Sequence, residues 1–255
     1  MRIGSTTLAL TALAFSLAAA ACGGGQPASD GAAAPAAPVT NPVDPATAGA
    51  VAGKVIFMGT PPPAETISMS SDPRCMNAGA KTEAVIVSGD GSLQNVFVYV
   101  KDGLGSLKFP VPPTPLVLDQ KGCQYRPHVF GVQVGQPIEI LNSDATLHNI
   151  HAWPQANAEF NKGQALQGMK DTHVFSTREV MVPFKCDVHR WMNSFVGVVD
   201  HPFFAVTGAD GSFQLKGLPP GTYTLEAWHE KFGTKTASVT VGAKESKDVA
   251  FTFSG

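Results

Sequence analysis

The chain has 255 residues, 18 basic and 20 acidic side chains, a formal charge of −2 at neutral pH and 44% hydrophobic residues. That length suits one compound domain or two small ones. A charge so close to balance, with no basic run, argues against a polyanion-binding surface, and nucleic acid is not an expected partner.

The first element reads as an export signal. Arg2 supplies a positive start, and Leu8 to Ala21 is an apolar run too short to span a bilayer as a helix. It ends in Ala19-Ala20-Ala21-Cys22, which resembles the lipobox of bacterial lipoproteins. The resemblance implies that residues 1–21 are removed and that Cys22 carries lipid. The protein is then tethered to a membrane of the bacterial cell envelope, on a periplasmic or other extracytoplasmic face. The alternative is ordinary secretory cleavage that leaves Cys22 as an unpaired thiol. The small residues directly before the cysteine, and the tether after it, favour lipidation. Residues 22–49 are rich in Gly, Ala, Pro and Ser, and they bury too little apolar surface to offset the entropy of ordering. They are expected to form a disordered linker.

From residue 50 onward the pattern predicts an all-β protein: short runs of Val, Ile, Phe and Tyr punctuated by Gly, Pro, Asn and Asp. Val51, Gly53, Val55 and Phe57 alternate and predict a first strand. Ala84 to Val87 and Val96 to Val100 flank Gly89-Asp90-Gly91 and predict a hairpin. Pro110 to Pro115 is a joint that no central strand could contain. Val129 to Val134 and Ile138 to Leu141 predict strands around Gly135. Residues 152–172 lack a clean period and read as a long loop with room for a helical turn. Val180, Val182, Phe184 and Cys186 fall on one face of a strand by the two-residue period, and Pro183 implies an edge position or a bulge.

Past Asp200 the texture changes. The stretch from Thr207-Gly208-Ala209-Asp210-Gly211-Ser212-Phe213 through Gly217-Leu218-Pro219-Pro220-Gly221-Thr222-Tyr223 resembles the carboxypeptidase regulatory-like, transthyretin-type β-sandwich. The likeness covers about residues 204–253. The opening strands that such a sandwich needs are matched by Ala50 to Met58 and Asn95 to Val100, far upstream. The implied organisation is a transthyretin-like sandwich from residues 50–108 plus 202–255, with residues 109–201 nested in it or appended to it as a second β unit.

That second unit carries the chemistry. Lys185-Cys186-Asp187-Val188-His189-Arg190-Trp191-Met192 spaces a thiol, an imidazole and a thioether three residues apart. Leu147-His148-Asn149-Ile150-His151 lies upstream, and Cys186 follows His148 by 38 residues, enough for strands to return the chain to one pole. One Cys, two His and a weak Met is the ligand set of a blue-copper electron-transfer site. Residues 127–200 resemble the small Greek-key cupredoxins, amicyanin most closely, through Val134-Gly135, Asn142, His148-Asn149 and Cys186-x-x-His189-x-x-Met192. The resemblance implies copper held by His148, Cys186 and His189 with Met192 axial, and an exposed His189 edge as the electron portal.

His148 and His151 are three apart, so an extended strand turns only one of them toward Cys186. The His-Asn pattern selects His148 and leaves His151 at the surface or in support. Asp187-Val188 departs from the Pro or Gly that many cupredoxins place in this loop, which leaves its conformation open. Asp187 could itself accept a supporting hydrogen bond. With Cys22 assigned to lipid and Cys186 to metal, Cys75 and Cys123 remain as the natural disulfide of an exported protein. A Cys3His zinc site from Cys75, Cys123, Cys186 and His189 competes with that assignment.

The expected function is electron transfer between exported redox proteins, such as a c-type cytochrome or an oxidase. Copper storage or delivery, or a non-redox envelope module, are the alternatives. The chain is not expected to be an enzyme. Lys185 and Asp187 stand where a multicopper oxidase has His residues beside its Cys, and seven His are too few and scattered for a trinuclear cluster.

Overall fold

The computed structural model describes residues 39–76 and 80–255. The signal segment, Cys22 and most of the predicted linker lie outside the described residues. Among the described residues there is one 3-10 turn, Pro73–Cys75, and no α-helix. No helix there is long and apolar enough to cross a membrane.

Sixteen strands follow one another among the described residues. β1 is Gly49–Met58 and β2 is Phe97–Asp102. Next come β3 (Leu116–Gln120), β4 (Tyr125–Arg126), β5 (Val129–Gln133) and β6 (Pro137–Asn142). Then follow β7 (His148–Ala152), β8 (Phe160–Gln164), β9 (Lys170–Val174), β10 (Glu179–Lys185) and β11 (Asn193–Val199). The chain ends with β12 (Phe204–Val206), β13 (Ser212–Leu218), β14 (Gly221–His229), β15 (Gly233–Val241) and β16 (Ser246–Ser254).

These strands make two sandwiches. In the first, the sheet β13-β1-β16 and the sheet β12-β2-β14-β15 share one core. The two-residue alternation in β1 drives Val51, Val55 and Phe57 inward against Phe213, Leu215, Phe251 and Phe253. β1 lies antiparallel to β13 and parallel to β16, so the N-terminal strand is held by the last third of the chain. Val43 already packs against this core, and the carbonyl of Thr47 accepts from Lys244 N at 3.0 Å.

The second sandwich consists of β5-β11-β10-β7-β8 and β4-β3-β6-β9. Leu118, Ile138 and Ile140 of one sheet meet Ile150, Val182, Phe184 and Val196 of the other. The segment between β1 and β2 leaves the first sandwich and sends Met69 and Cys75 into this second core. In β10, Val182 and Phe184 are buried while Lys185 is exposed, and Cys186 is buried just past the strand's end. β10 is a central strand, and a bulge at Val180/Val182 rather than an edge position accommodates Pro183.

Two expectations are corrected. Residues 152–172 contain β8 and most of β9, not a loop with a helical turn. Asn161, Lys162 and Gly163 are exposed on the outermost strand of their sheet, so no apolar row marks it; pairing to the β7 backbone holds it. Ala84–Val87 is not a strand either; the predicted hairpin reduces to the isolated bridge Val87↔Leu93, and Ser92 bridges instead to Ile56 of β1.

The two sandwiches are joined by a third apolar cluster. Phe97 and Tyr99 of β2 pack with Val129 of β5 and Val199 of β11. Gly131 and Gly197 are register partners on β5 and β11, and the Phe97 ring occupies the space that their side chains would need. Beside it, Phe195 and Trp228 lie 5.1 Å apart, and His128 Nε2 meets Glu230 Oε1 at 2.9 Å. The Trp228-His229-Glu230 run is therefore part of the joint. A Cβ on Gly197 would lie 2.3 Å from the Phe97 ring. Gly197→Ala is expected to destabilise the protein by about 1–3 kcal/mol through overpacking, read from the midpoint of urea unfolding; an unchanged midpoint would show that Phe97 moves aside freely.

Candidate metal centre

His148 opens β7 after a tight turn that Asn142 ties down. Asn142 Nδ2 donates to the carbonyls of Thr146 and Gln164, both at 3.0 Å, and its Oδ1 accepts from Asp144 N at 2.9 Å. Cys186 follows β10, and a short loop carries the chain back to β11. Within that loop His189 N donates to Cys186 Sγ at 3.3 Å, Met192 N donates to the His189 carbonyl at 2.8 Å, and Cys186 N donates to the Met192 carbonyl at 3.2 Å. The three-residue spacing is thus closed by backbone hydrogen bonds, which fix the thiol and the imidazole relative to each other.

One ligand atom each from His148, Cys186 and His189 lies within 4.8 Å of the other two, and all three residues are buried. The two Nδ1 atoms face each other at 2.9 Å, and His189 Nδ1 is 3.8 Å from Cys186 Sγ. Met192 is also buried and belongs to the same core cluster as Cys186. His151 is not among them. It is held outward between Asp187, 3.1 Å from Nδ1, and Glu159, 2.7 Å from Nε2. Asn149 links the two strands: its Oδ1 accepts from Asp187 N at 2.7 Å and from the Cys186 thiol at 3.3 Å, while its Nδ2 donates to Asp187 Oδ2 at 2.8 Å.

Two residues that the sequence did not single out hold the far side of the rings. Asp144 Oδ2 lies 3.0 Å from His148 Nε2, and Asp72 Oδ2 lies 3.1 Å from His189 Nε2. A carboxylate only accepts, so each Nε2 carries the proton and each Nδ1 is left for a metal. Cys75 and Cys123 form a disulfide, with Cα atoms 5.4 Å apart, across the same end of the sandwich. Its Cys75 sulfur is 3.5 Å from His189 Nε2, and Trp191 Nε1 donates to the Cys123 carbonyl at 2.9 Å.

This lid corrects the expected portal. The His189 side chain is only 2% exposed, because Asp72 and the disulfide cover the edge that was expected to face solvent. The remaining imidazoles serve packing: His173 stacks on Phe160 with centroids 3.7 Å apart, His201 Nε2 donates to the Val100 carbonyl at 2.8 Å, and buried His229 stacks on Phe232.

The electrostatics follow from these contacts. Burial pulls the His148 imidazole down, but the Asp144 carboxylate and Cys186 outweigh it and push it up to about 9. Burial raises the Cys186 thiol, yet hydrogen bonds from His148 and from the backbone around Asn149 and His189 bring it below its ordinary value. Burial, assisted by the His148 charge, keeps His189 below the usual imidazole range despite Asp72. A thiolate and two imidazoles form a donor set that suits copper. The zinc alternative needs Cys75 and Cys123 as thiolates, and they are bonded to each other.

Comparison with known proteins gives two kinds of likeness. The carboxypeptidase regulatory-like domain family matches residues 196–254. No curated protein matches the chain. Among solved structures, a copper-containing nitrite reductase from Thermus scotoductus is 19% identical over 36% of this chain and 24% of its own, with a TM-score of 0.33. This chain therefore spans about a quarter of that enzyme. The Cu(I) form of an amicyanin variant is 20% identical over 33% of this chain and 81% of its own, with a TM-score of 0.30. A purple cupredoxin from Nitrosopumilus maritimus is 21% identical over 32% of this chain and 98% of its own, with a TM-score of 0.29.

Metal uptake at this site should release a proton. The Asp144 carboxylate and Cys186 push the His148 imidazole up to about 9 against the pull of burial, so a metal is expected to displace a proton from its Nδ1 at neutral pH. Apparent affinity should then weaken by about tenfold for each unit of pH below that value. Calorimetry at pH 7 in buffers of different ionisation enthalpy reads the released proton, and buffer-independent heats would contradict the assignment.

Proposed function

We propose that the protein is a type 1 (blue) copper protein that passes single electrons between exported redox partners. The observation that carries this reading is the convergence of one thiol and one nitrogen from each of two imidazoles within 4.8 Å of one another in a buried site. His148, Cys186 and His189 would hold the ion, and Met192 would offer it a weak thioether. Bound copper would supply a one-electron couple that thiolate and imidazole stabilise in both oxidation states.

The protein's own residues do the rest. The backbone hydrogen bonds of the 186–192 loop hold the donors in place. Asn149 fixes the thiol from the neighbouring strand. A frame locked by close packing and supporting hydrogen bonds resists rearrangement on a change of charge, as rapid electron exchange requires. The side chains of His148 and His189 are 0% and 2% exposed, so water and small substrates are kept from the donors. That closure favours passage of electrons over chemistry on a substrate, and it disfavours a delivery role in which the ion must leave. A partner such as a c-type cytochrome or an oxidase would meet Asp72, whose side chain is 21% exposed, before the imidazole edge. A lipid on Cys22 would keep the site near such partners at the membrane.

Wild-type protein loaded with Cu(II) is expected to show an intense thiolate-to-copper absorption in the visible region, and Cys186→Ser is expected to abolish it. A wild type that binds copper without that band would overturn the reading.

A further inference from the structure

We infer that Asp72 and Asp144 are positioning residues that hold both imidazoles as Nδ1 ligands and place two fixed negative charges behind them, favouring Cu(II) over Cu(I). The inference rests on the copper reading above and assigns a role to residues outside its ligand set. Each carboxylate is itself held. Asp72 Oδ1 accepts from Arg74 N at 2.9 Å, and Oδ2 accepts from Thr146 Oγ1 at 2.8 Å as well as from His189. Asp144 accepts from Gly122 N and Cys123 N, both at 2.8 Å, in addition to His148.

One covalent bond binds these two arrangements together. Cys75 N donates to the Asp72 carbonyl at 3.0 Å, Cys123 N donates to the Asp144 carboxylate, and Cys75 and Cys123 share the disulfide. Thr146 ties the Asp72 side chain to the turn that bears Asp144. The two carboxylates are therefore set by one cross-linked unit, and neither can turn away from its ring without breaking several hydrogen bonds. The Asp72 and Asp144 side chains are only 21% and 18% exposed, so water screens their charge weakly. A carboxylate behind a metal-bound imidazole orients the ring and raises its basicity, and losing such a partner typically costs about 10–100-fold in metal affinity. The more highly charged ion loses more.

The test is the reduction potential of copper-loaded Asp72→Asn and Asp144→Asn. Asparagine keeps an acceptor oxygen and removes the charge. Each variant should retain the thiolate-to-copper band and show a higher potential. A tenfold loss of Cu(II) affinity relative to Cu(I) corresponds to about 59 mV for one electron. Asp72→Glu should recover part of the shift. Thr146→Val, which leaves the charge but frees the carboxylate, should move the potential the same way by less, and it carries the test if a charge variant fails to load. Potentials equal to wild type in variants that keep the band would overturn the inference while leaving the copper reading intact. Absence of the band in the wild type would overturn both.

Discussion

Two imidazoles and a thiol sit in an apolar core, and the structure around them is organised by the need to give the far nitrogen of each ring a partner. A buried imidazole has two nitrogens. If one is reserved for a metal, the other must find a partner or bear the cost of desolvation. Here both distal nitrogens find carboxylates, and both carboxylates are in turn satisfied by backbone amides. This requirement accounts for an otherwise odd excursion. The segment after β1 leaves its own sandwich, inserts Met69 and Cys75 into the neighbouring core, and lays Asp72 over His189 before returning to β2.

The same segment makes the molecule more than two sandwiches side by side. The disulfide pins it midway, and both of its ends run into strands of the first sandwich. Between the sandwiches, Phe97 fills the hollow over Gly131 and Gly197, and Trp228 and Glu230 engage Phe195 and His128. Arg178 adds a polar tie, donating to the Lys101 carbonyl at 3.1 Å with its guanidinium above the Tyr99 ring. The donor cluster thus inherits rigidity from both cores.

How much of this could be read from the chain depends on how local the cause is. The strands with apolar rows, β1, β6, β10 and β13 to β16, announce themselves through alternation because one face of each is buried. β8 and β9 do not. Lys162, Lys170 and Asp171 are polar, and those strands are held by backbone pairing to β7 and β6, which leaves no side-chain signature. The Cys186, His189 and Met192 spacing was legible because one loop carries all three, and His148 because an asparagine follows it. Asp72 was not legible, since it acts on a ring 117 residues away. Asp144, four residues before His148, had nothing to distinguish it from any turn aspartate. The covered His189 edge follows from the same long-range contact, so family resemblance pointed the wrong way there.

The pairing of β2 with β12 has a consequence of its own. Phe204 lies opposite Tyr99 and Val206 opposite Phe97, antiparallel neighbours of the kind normally joined by a two-residue turn. Here the whole second sandwich stands in place of that turn, an outsized hairpin loop whose two ends emerge side by side. Closing a longer loop between adjacent ends costs little additional entropy. A fold of this sort can accept a functional cassette at a turn without rearranging its own sheets, and a host trimmed back to a tight connection there would keep its hydrogen-bonding register.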